Sequence, residues 1–149
     1  MAFHFTLQAV LRWRESFERR ERQRLQMITR EVVKAQQQRD QAKHDRTNAL
    51  TEFQRKLRDG MNSAELQFEL ATDRARLRQI AALCDHFTKL EALRRRQLEV
   101  FRKAQQQRKI LDNLRERQLA AYQLIQARRE QQVMDDRFLL THAWQTSDS

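Results

Sequence analysis

The chain contains one glycine and no proline in 149 residues. Glycine and proline supply most tight turns, and average usage would give a chain of this length about ten glycines and seven prolines. A chain with so few turn formers cannot reverse direction often, which excludes sandwiches, barrels and doubly wound α/β folds. Half of the residues are Ala, Leu, Glu, Lys or Arg, which is typical of long helices and coiled coils.

Mostly apolar residues recur at steps of three and four along two stretches of the chain, and four of the fifteen positions in the first stretch are charged: Arg14, Glu21, Arg39 and Arg46. From Leu7 to Leu57 the steps average about 3.6 residues, which is the period of one helical face. From Leu66 to Val133 they average about 3.5 residues, which favours a left-handed supercoil. The pattern therefore predicts two long helices, each with one seam that packs against the other.

The chain carries signals for a helix end and a helix start together at one place only. Gly60 follows Asp59, and glycine takes the left-handed conformation that ends many helices. Asn62, with Glu65 three residues later, predicts a capping box for the next helix. The chain is therefore expected to reverse direction at this bend.

We predict an all-α fold: an antiparallel coiled-coil hairpin of two long helices in a single domain, 1–149. The first arm spans about 4–58, the bend 59–62 and the second arm about 63–141, and a frayed polar tail follows at 142–149. Residue i of one arm then faces roughly residue 121 − i of the other. The second, longer arm has an overhang near 117–141 that needs a partner elsewhere, because it carries the apolar residues Leu119, Tyr122, Ile125, Val133, Met134, Phe138 and Leu139.

The 30 basic and 20 acidic residues give a net charge of +10. The excess lies in 1–58 and 94–149, whereas 59–93 is slightly acidic, so a hairpin would be basic at its open end. The basic runs are short, and glutamates lie among them at ion-pair spacing. This interleaving favours an acidic protein surface over nucleic acid as the partner.

No motif for catalysis, phosphate binding or metal ligation is present in the sequence. The four histidines are scattered, and the single Cys84 suits a buried seam position and a reducing compartment. No apolar run is long enough to span a membrane. We therefore predict a cytoplasmic protein that is not an enzyme and that needs no cofactor, metal or small-molecule ligand.

Both ends of the chain carry patterns of a known family. The first is Phe3-x-Phe5-x-Leu7-x-x-Val10-Leu11-x-x-Arg14-Glu15-x-x-Glu18, and the second is Leu111-x-x-Leu114-Arg115-x-Arg117-x4-Tyr122, followed by Arg129-Glu130-Gln131 and Asp135-Asp136. Together with the length, the single glycine at the bend and the unequal arms, these patterns resemble the FliJ family of the bacterial flagellar export apparatus. The chain departs from that family in being rich in arginine, and Asp135-Asp136 replaces the commoner Asp-Glu.

The resemblance implies a stalk similar to the central stalk of rotary ATPases. Members of the family insert their open end into the hexameric export ATPase, FliI, and promote assembly and activity of its ring. They also reach the membrane export gate protein, FlhA, and escort export chaperones. For this chain the resemblance implies a monomer in the cytoplasm that associates peripherally with the inner face of the cell membrane.

Two groups of residues are candidates for these contacts. The ATPase-binding candidates are Phe3, Phe5, Leu7, Val10, Leu11, Arg14, Arg117, Tyr122, Arg129, Glu130 and Asp135. The candidates for export-gate binding flank the bend and are Arg46, Phe53, Met61, Leu66, Phe68 and Leu70.

Each candidate also has a purely structural explanation. Leu7, Val10 and Leu11 would serve equally well to close the hairpin seam, and Arg14 and Arg117 could pair with Glu18 or Glu116. Two other functions stay open at this point: a stalk of a virulence-type type III secretion system, and a basic coiled-coil scaffold, dimeric or binding nucleic acid.

Overall fold

The computed structural model describes residues 2–148. Two helices account for nearly all of them: α1 is Gln8–Asp59, with 52 residues, and α2 is Ser63–Ser147, with 85 residues. Among residues 2–148 there is no β-strand and no cis peptide bond. The predicted all-α fold with a longer second helix is confirmed.

The bend forms as its residues predict. Gly60 has φ of 100°, in the left-handed region that glycine enters without a steric penalty. The backbone N–H of Glu65 donates to Asn62 Oδ1 at 2.8 Å, and the Asn62 side-chain amide donates to Glu65 Oε1 at 3.3 Å. Asn62 therefore caps α2 by satisfying a backbone donor that has no partner within the helix.

Both helices have limits that differ from the sequence prediction. α1 begins at Gln8 rather than near residue 4, and a hydrogen bond from Gln8 N to Phe5 O, at 3.1 Å, leads into its first turn. α2 continues to Ser147, six residues beyond the predicted end at 141, through the segment expected to be a frayed tail. The physical reason is that no glycine or proline follows Gly60, so the sequence contains no residue that would stop the helix.

Contacts divide the chain into two compact units. The terminal unit comprises the residues up to Glu18 and those from Ala104 onward, and the bend unit comprises Arg19–Lys103. Each unit contains a stretch of α1 and a stretch of α2.

In the bend unit the two helices run antiparallel. The side chains that meet are Arg46 with Asp73 and Arg39 with Phe87, so the residue number rises on one helix as it falls on the other. These pairs lie close to the predicted register about 121. The α1 residues on the predicted seam are buried or half-buried from Glu21 to Phe53: Glu21, Leu25, Ile28, Val32, Ala35, Arg39, Ala42, Arg46, Ala49 and Phe53.

The seam of α2 in the bend unit departs from the prediction at two positions. Leu70 and Leu77 lie on the predicted seam but are exposed, whereas most of its positions from Asp73 to Phe101 are half-buried. Cys84 is half-buried on this seam, as predicted, and has a free thiol.

The terminal unit is also an antiparallel pair, and its core is small. Phe5, Leu11 and Ala104 are its buried apolar residues. The rings of Phe3 and Tyr122 meet with 5.7 Å between their centroids. From residue 127 to residue 148 every residue is exposed, so this part of α2 has no packing partner among the described residues.

Candidate interaction surfaces

The terminal unit contains all eleven ATPase-binding candidates. Phe5 and Leu11 are buried, at 4% and 2% exposure, so both are part of its core rather than of a free surface. Leu7 and Val10 are exposed, although the predicted seam ran through them. The seam therefore passes through Leu11 rather than through the adjacent Val10. Both residues are apolar, so the helical period alone does not decide which of them turns inward.

Arg14 contacts an amide on α2 and an aromatic ring on its own helix. Its guanidinium donates to Gln107 Oε1 and lies 4.8 Å from the ring of Trp13. Trp13 in turn stacks on Phe17, with ring centroids 5.6 Å apart, and half of its surface remains exposed. Trp13 was not among the sequence candidates, because it lies off the helical seam and at an unspecified position of the family pattern.

Glu18, a carboxylate considered as a partner for Arg14, forms an ion pair with Arg108 inside the terminal unit. Arg108 Nε donates to Glu18 Oε2, and Arg108 Nη1 donates to Asp112 Oδ2. Glu18 is buried, at 4% exposure. Burial alone would lower the pKa of Arg108, but its hydrogen bonds to Glu18 and Asp112 outweigh burial and raise that pKa. The cluster therefore stabilises the contact between α1 and α2 in the terminal unit.

The remaining charged candidates of the terminal unit lie on the surface of α2. Arg117, Arg129, Glu130 and Asp135 are exposed, and Asp135 accepts a 3.5 Å hydrogen bond from Gln131. These side chains are accessible to a partner.

The exposed end of α2 carries apolar side chains on every side of the helix. Successive residues of an α-helix are turned by about 100°, so residues 133, 134, 138, 139, 140 and 144 point in directions spread around the whole circumference. Their exposed fractions run from 49% to 74%, and the largest belongs to Trp144. The predicted overhang ended near residue 141 and did not include Trp144, because residues from 142 onward were expected to fray. These six residues are called the apolar sleeve: Val133, Met134, Phe138, Leu139, Leu140 and Trp144.

The charge of the chain is distributed differently from the prediction of a basic open end. The terminal unit has nine basic and eight acidic side chains, a net charge of +1. The bend unit has 21 basic and 12 acidic side chains, a net charge of +9. The prediction was wrong about the end itself, because it averaged the terminal residues with the arginine-rich segments beside them.

The bend unit contains all six export-gate candidates. Arg46 donates from Nε to Asp73 Oδ1 at 2.9 Å and from Nη2 to Asp73 Oδ2 at 3.2 Å. This two-pronged hydrogen bond lowers the pKa of Asp73 and raises that of Arg46. The charges of Arg46 and Asp73 are therefore paired with each other within the bend unit.

The apolar candidates near the bend differ in how accessible they are. Phe53 is half-buried and lines a cavity of about 40 Å³ together with Leu50, Leu70 and Asp73. Met61 and Leu66 are half-buried as well. Phe68, in contrast, is 69% exposed, and it borders an open groove with Lys56, Met61, Ala64, Glu65 and Glu69. Phe68 is thus the aromatic side chain that a partner could reach at the bend.

Among residues 2–148 no group of three or more His, Cys, Asp or Glu side chains is arranged to hold a metal ion. Neither described helix has a stretch long and apolar enough to cross a membrane.

The fold and the surfaces define a class of protein: an all-α coiled coil with apolar and charged side chains exposed along two long helices. The model of one protein family, described as the flagellar FliJ protein, matches residues 3–147. The chain therefore belongs to the FliJ family, and this membership implies a component of the flagellar export apparatus. No match to a curated protein or to a solved structure was found. The FliJ family is not a known family of enzymes.

Proposed function

We propose that this protein is the stalk of the flagellar export apparatus, inserting its terminal unit into the ring of the export ATPase, FliI, and promoting ring assembly and hydrolysis. The observation that supports this function best is the apolar sleeve. Exposed apolar side chains gain free energy when a partner removes them from water, and those of the sleeve point in all directions around the helix. A flat partner or one adjacent helix would cover a single face, whereas the central hole of a ring covers them all.

The nearly neutral terminal unit indicates how insertion would be stabilised. With a net charge of +1, it offers little long-range attraction, so burial of apolar side chains is the main contribution at the ring. Arg117, Arg129, Glu130 and Asp135 would then select the rotational position by local ion pairs with ring subunits.

The second part of the proposal is coupling to the export gate protein, FlhA, through the surface around Phe68. An exposed aromatic ring beside a groove is a typical anchor of a protein interface. Arg46 has no part in this contact as we propose it, since Asp73 engages its guanidinium. Escort of export chaperones is a third role that we propose from the family likeness.

The test uses two phenylalanines that have the same exposure. Phe138 of the apolar sleeve and Phe68 near the bend are each 69% exposed. Replacing either by glutamine therefore removes an aromatic ring that is equally accessible to solvent. The full chain and both variants are titrated into the cognate ATPase while hydrolysis and ring formation are measured. Binding of each to FlhA is measured separately.

We expect Phe138→Gln to weaken stimulation of the ATPase about tenfold or more, as for an interface anchor, with FlhA binding unchanged. Phe68→Gln should weaken binding to FlhA and leave stimulation of the ATPase unchanged. If the unaltered chain neither stimulates the ATPase nor promotes its ring, the stalk function is wrong. If both variants behave like the unaltered chain in both assays, the assignment of the two surfaces is wrong.

A further inference from the structure

Most of the net charge of the chain lies in two short segments of the bend unit. Residues 19–30 and 94–103 contain ten basic and two acidic side chains, a net charge of +8 out of +10 for the whole chain. Two contacts bring these segments together: Gln97 Nε2 donates to Glu21 O at 3.1 Å, and the Arg22 guanidinium lies 5.5 Å from the centroid of the Phe101 ring. The pair of segments therefore forms one strongly basic region.

One side of this region combines arginines with exposed apolar side chains. Residues 20, 24 and 27 are spaced to share a face of α1, and residues 93, 96 and 100 to share a face of α2. Arg24 and Gln97 both hydrogen bond to the carboxylate of Glu21, which sets the two faces side by side. The basic patch consists of these six residues: Arg20, Arg24, Met27, Leu93, Arg96 and Val100.

The side chains of the basic patch are accessible. Met27 is 64% exposed, and Leu93 and Val100 are also among the exposed apolar residues. Arg20 and Arg96 are exposed, and neither forms an ion pair with another described residue. Glu21, in contrast, is 2% exposed and forms an ion pair with Arg24, so the unpaired positive charge of the basic patch lies on Arg20 and Arg96.

We propose that the basic patch binds the headgroups of an anionic phospholipid bilayer, with Met27, Leu93 and Val100 entering the headgroup layer. Clusters of several arginines or lysines on a helical surface bind anionic membranes, each cation contributing separately. Apolar side chains among the cations add burial at the boundary between headgroups and acyl chains. They would gain nothing against the phosphate backbone of a nucleic acid.

An acidic protein is a less suitable partner for this patch. Interfaces between proteins are anchored by aromatic side chains in pockets, and the basic patch carries none. The nearby ring of Phe101 is half-buried and lies beneath Arg22. The surface of an anionic bilayer, where the negative charge is diffuse, requires no such aromatic anchor.

The experiment measures binding of the full chain to vesicles by sedimentation. One set of vesicles contains phosphatidylglycerol in phosphatidylcholine, and the other contains phosphatidylcholine alone. The test variant is Arg20→Gln with Arg96→Gln. Its matched control is Arg74→Gln with Arg78→Gln, which removes the same charge from exposed arginines of the same unit outside the patch.

The unaltered chain is expected to bind the anionic vesicles and not the neutral ones. The test variant should bind about 30-fold more weakly, from the loss of two cations at the surface, and the control should change far less. Met27→Gln should weaken binding to vesicles and leave any binding to duplex DNA unchanged.

Three results would overturn the proposal. The first is no binding to anionic vesicles, or equal binding to both kinds. The second is equal weakening by the test variant and the control, which would indicate an effect of net charge alone. The third is a test variant that loses affinity for duplex DNA but not for vesicles, which would identify nucleic acid as the partner. The assay contains no ATPase, so its outcome is independent of the stalk function.

Discussion

At the scale of single residues, Gly60 is the position where the chain depends on one particular amino acid. Its φ of 100° is strained for any residue with a Cβ. A Cβ built at Gly60 would meet no atom within 4 Å, so steric crowding by neighbours does not add to that strain.

Gly60→Ala is therefore expected to destabilise the protein by about 1 kcal/mol, the cost of the left-handed conformation for alanine. Gly60→Asn should cost less, because asparagine tolerates this region better. Thermal or urea unfolding followed by circular dichroism measures both. Equal stability of the alanine variant and the unaltered chain would contradict this account of the bend.

Asp73 makes the stability of the bend unit depend on pH. Its pKa is lowered in the folded chain by the hydrogen bonds from Arg46, relative to an unfolded value of about 3.9. A carboxyl whose folded pKa is depressed stabilises the fold above the unfolded pKa and loses that contribution as the pH falls through the folded pKa. The ion pair is therefore intact at neutral pH and lost in acid.

The unfolding temperature of the unaltered chain should fall more steeply below about pH 4 than that of Asp73→Asn, which cannot titrate. At neutral pH the variant should be the less stable of the two. Asp136→Asn, at an exposed position of α2, is the matched control and should keep the steep acid response. Parallel pH profiles for Asp73→Asn and the unaltered chain would show that the ion pair does not contribute.

At the scale of the helices, the seam of the terminal unit is decided by which of two adjacent apolar residues turns inward. Leu11 is 2% exposed and Val10 is 43% exposed. Leu11→Ala should destabilise the protein by about 2–4 kcal/mol, through lost burial and the cavity left behind. Val10→Ala should change the free energy of unfolding by less than about 0.5 kcal/mol. Chemical denaturation of the two variants distinguishes this seam from the one that the periodicity predicted.

The helix pair also buries two carboxylates, which an apolar pattern does not predict. Glu18 is held by Arg108, and Glu21 by Gln97 and Arg24. A buried charge needs such partners, since an unpaired one is strongly destabilising. Each of these carboxylates has a partner on the opposite helix, Arg108 for Glu18 and Gln97 for Glu21, and these contacts favour one register over its neighbours.

At the scale of the whole molecule, its functions are proposed for different parts of the chain. The ATPase contact is proposed for the terminal unit, and the gate and membrane contacts are proposed for the bend unit. Residues 127–148 are all exposed, so they contribute little to the packing of either unit.

A chain that ends at Gln126 should therefore unfold at nearly the same temperature as the full chain. It should no longer stimulate the export ATPase, because it lacks the apolar sleeve. Its binding to FlhA and to anionic vesicles should be unchanged. The three assays are those described above, and a truncated chain that stimulates hydrolysis fully would show that the sleeve is not the ATPase contact.

Much of the architecture followed from local chemistry. The scarcity of glycine and proline, the helical period and the capping residues around Gly60 predicted two long helices and their turn, since these signals act within a few residues of one another. The FliJ family was predicted from short patterns at both ends, and the family match confirmed it.

Tertiary packing decided which side chains are buried where local signals did not distinguish between neighbouring residues. Leu11 rather than Val10 turns inward because the facing helix covers one direction only, and Glu18 is buried because Arg108 lies opposite. The sequence determined which side chains could form a seam, but burial depends on residues about a hundred positions away along the chain. The exposure of the sleeve and the pairing of two arginine-rich segments into one basic region depend on those same long-range contacts.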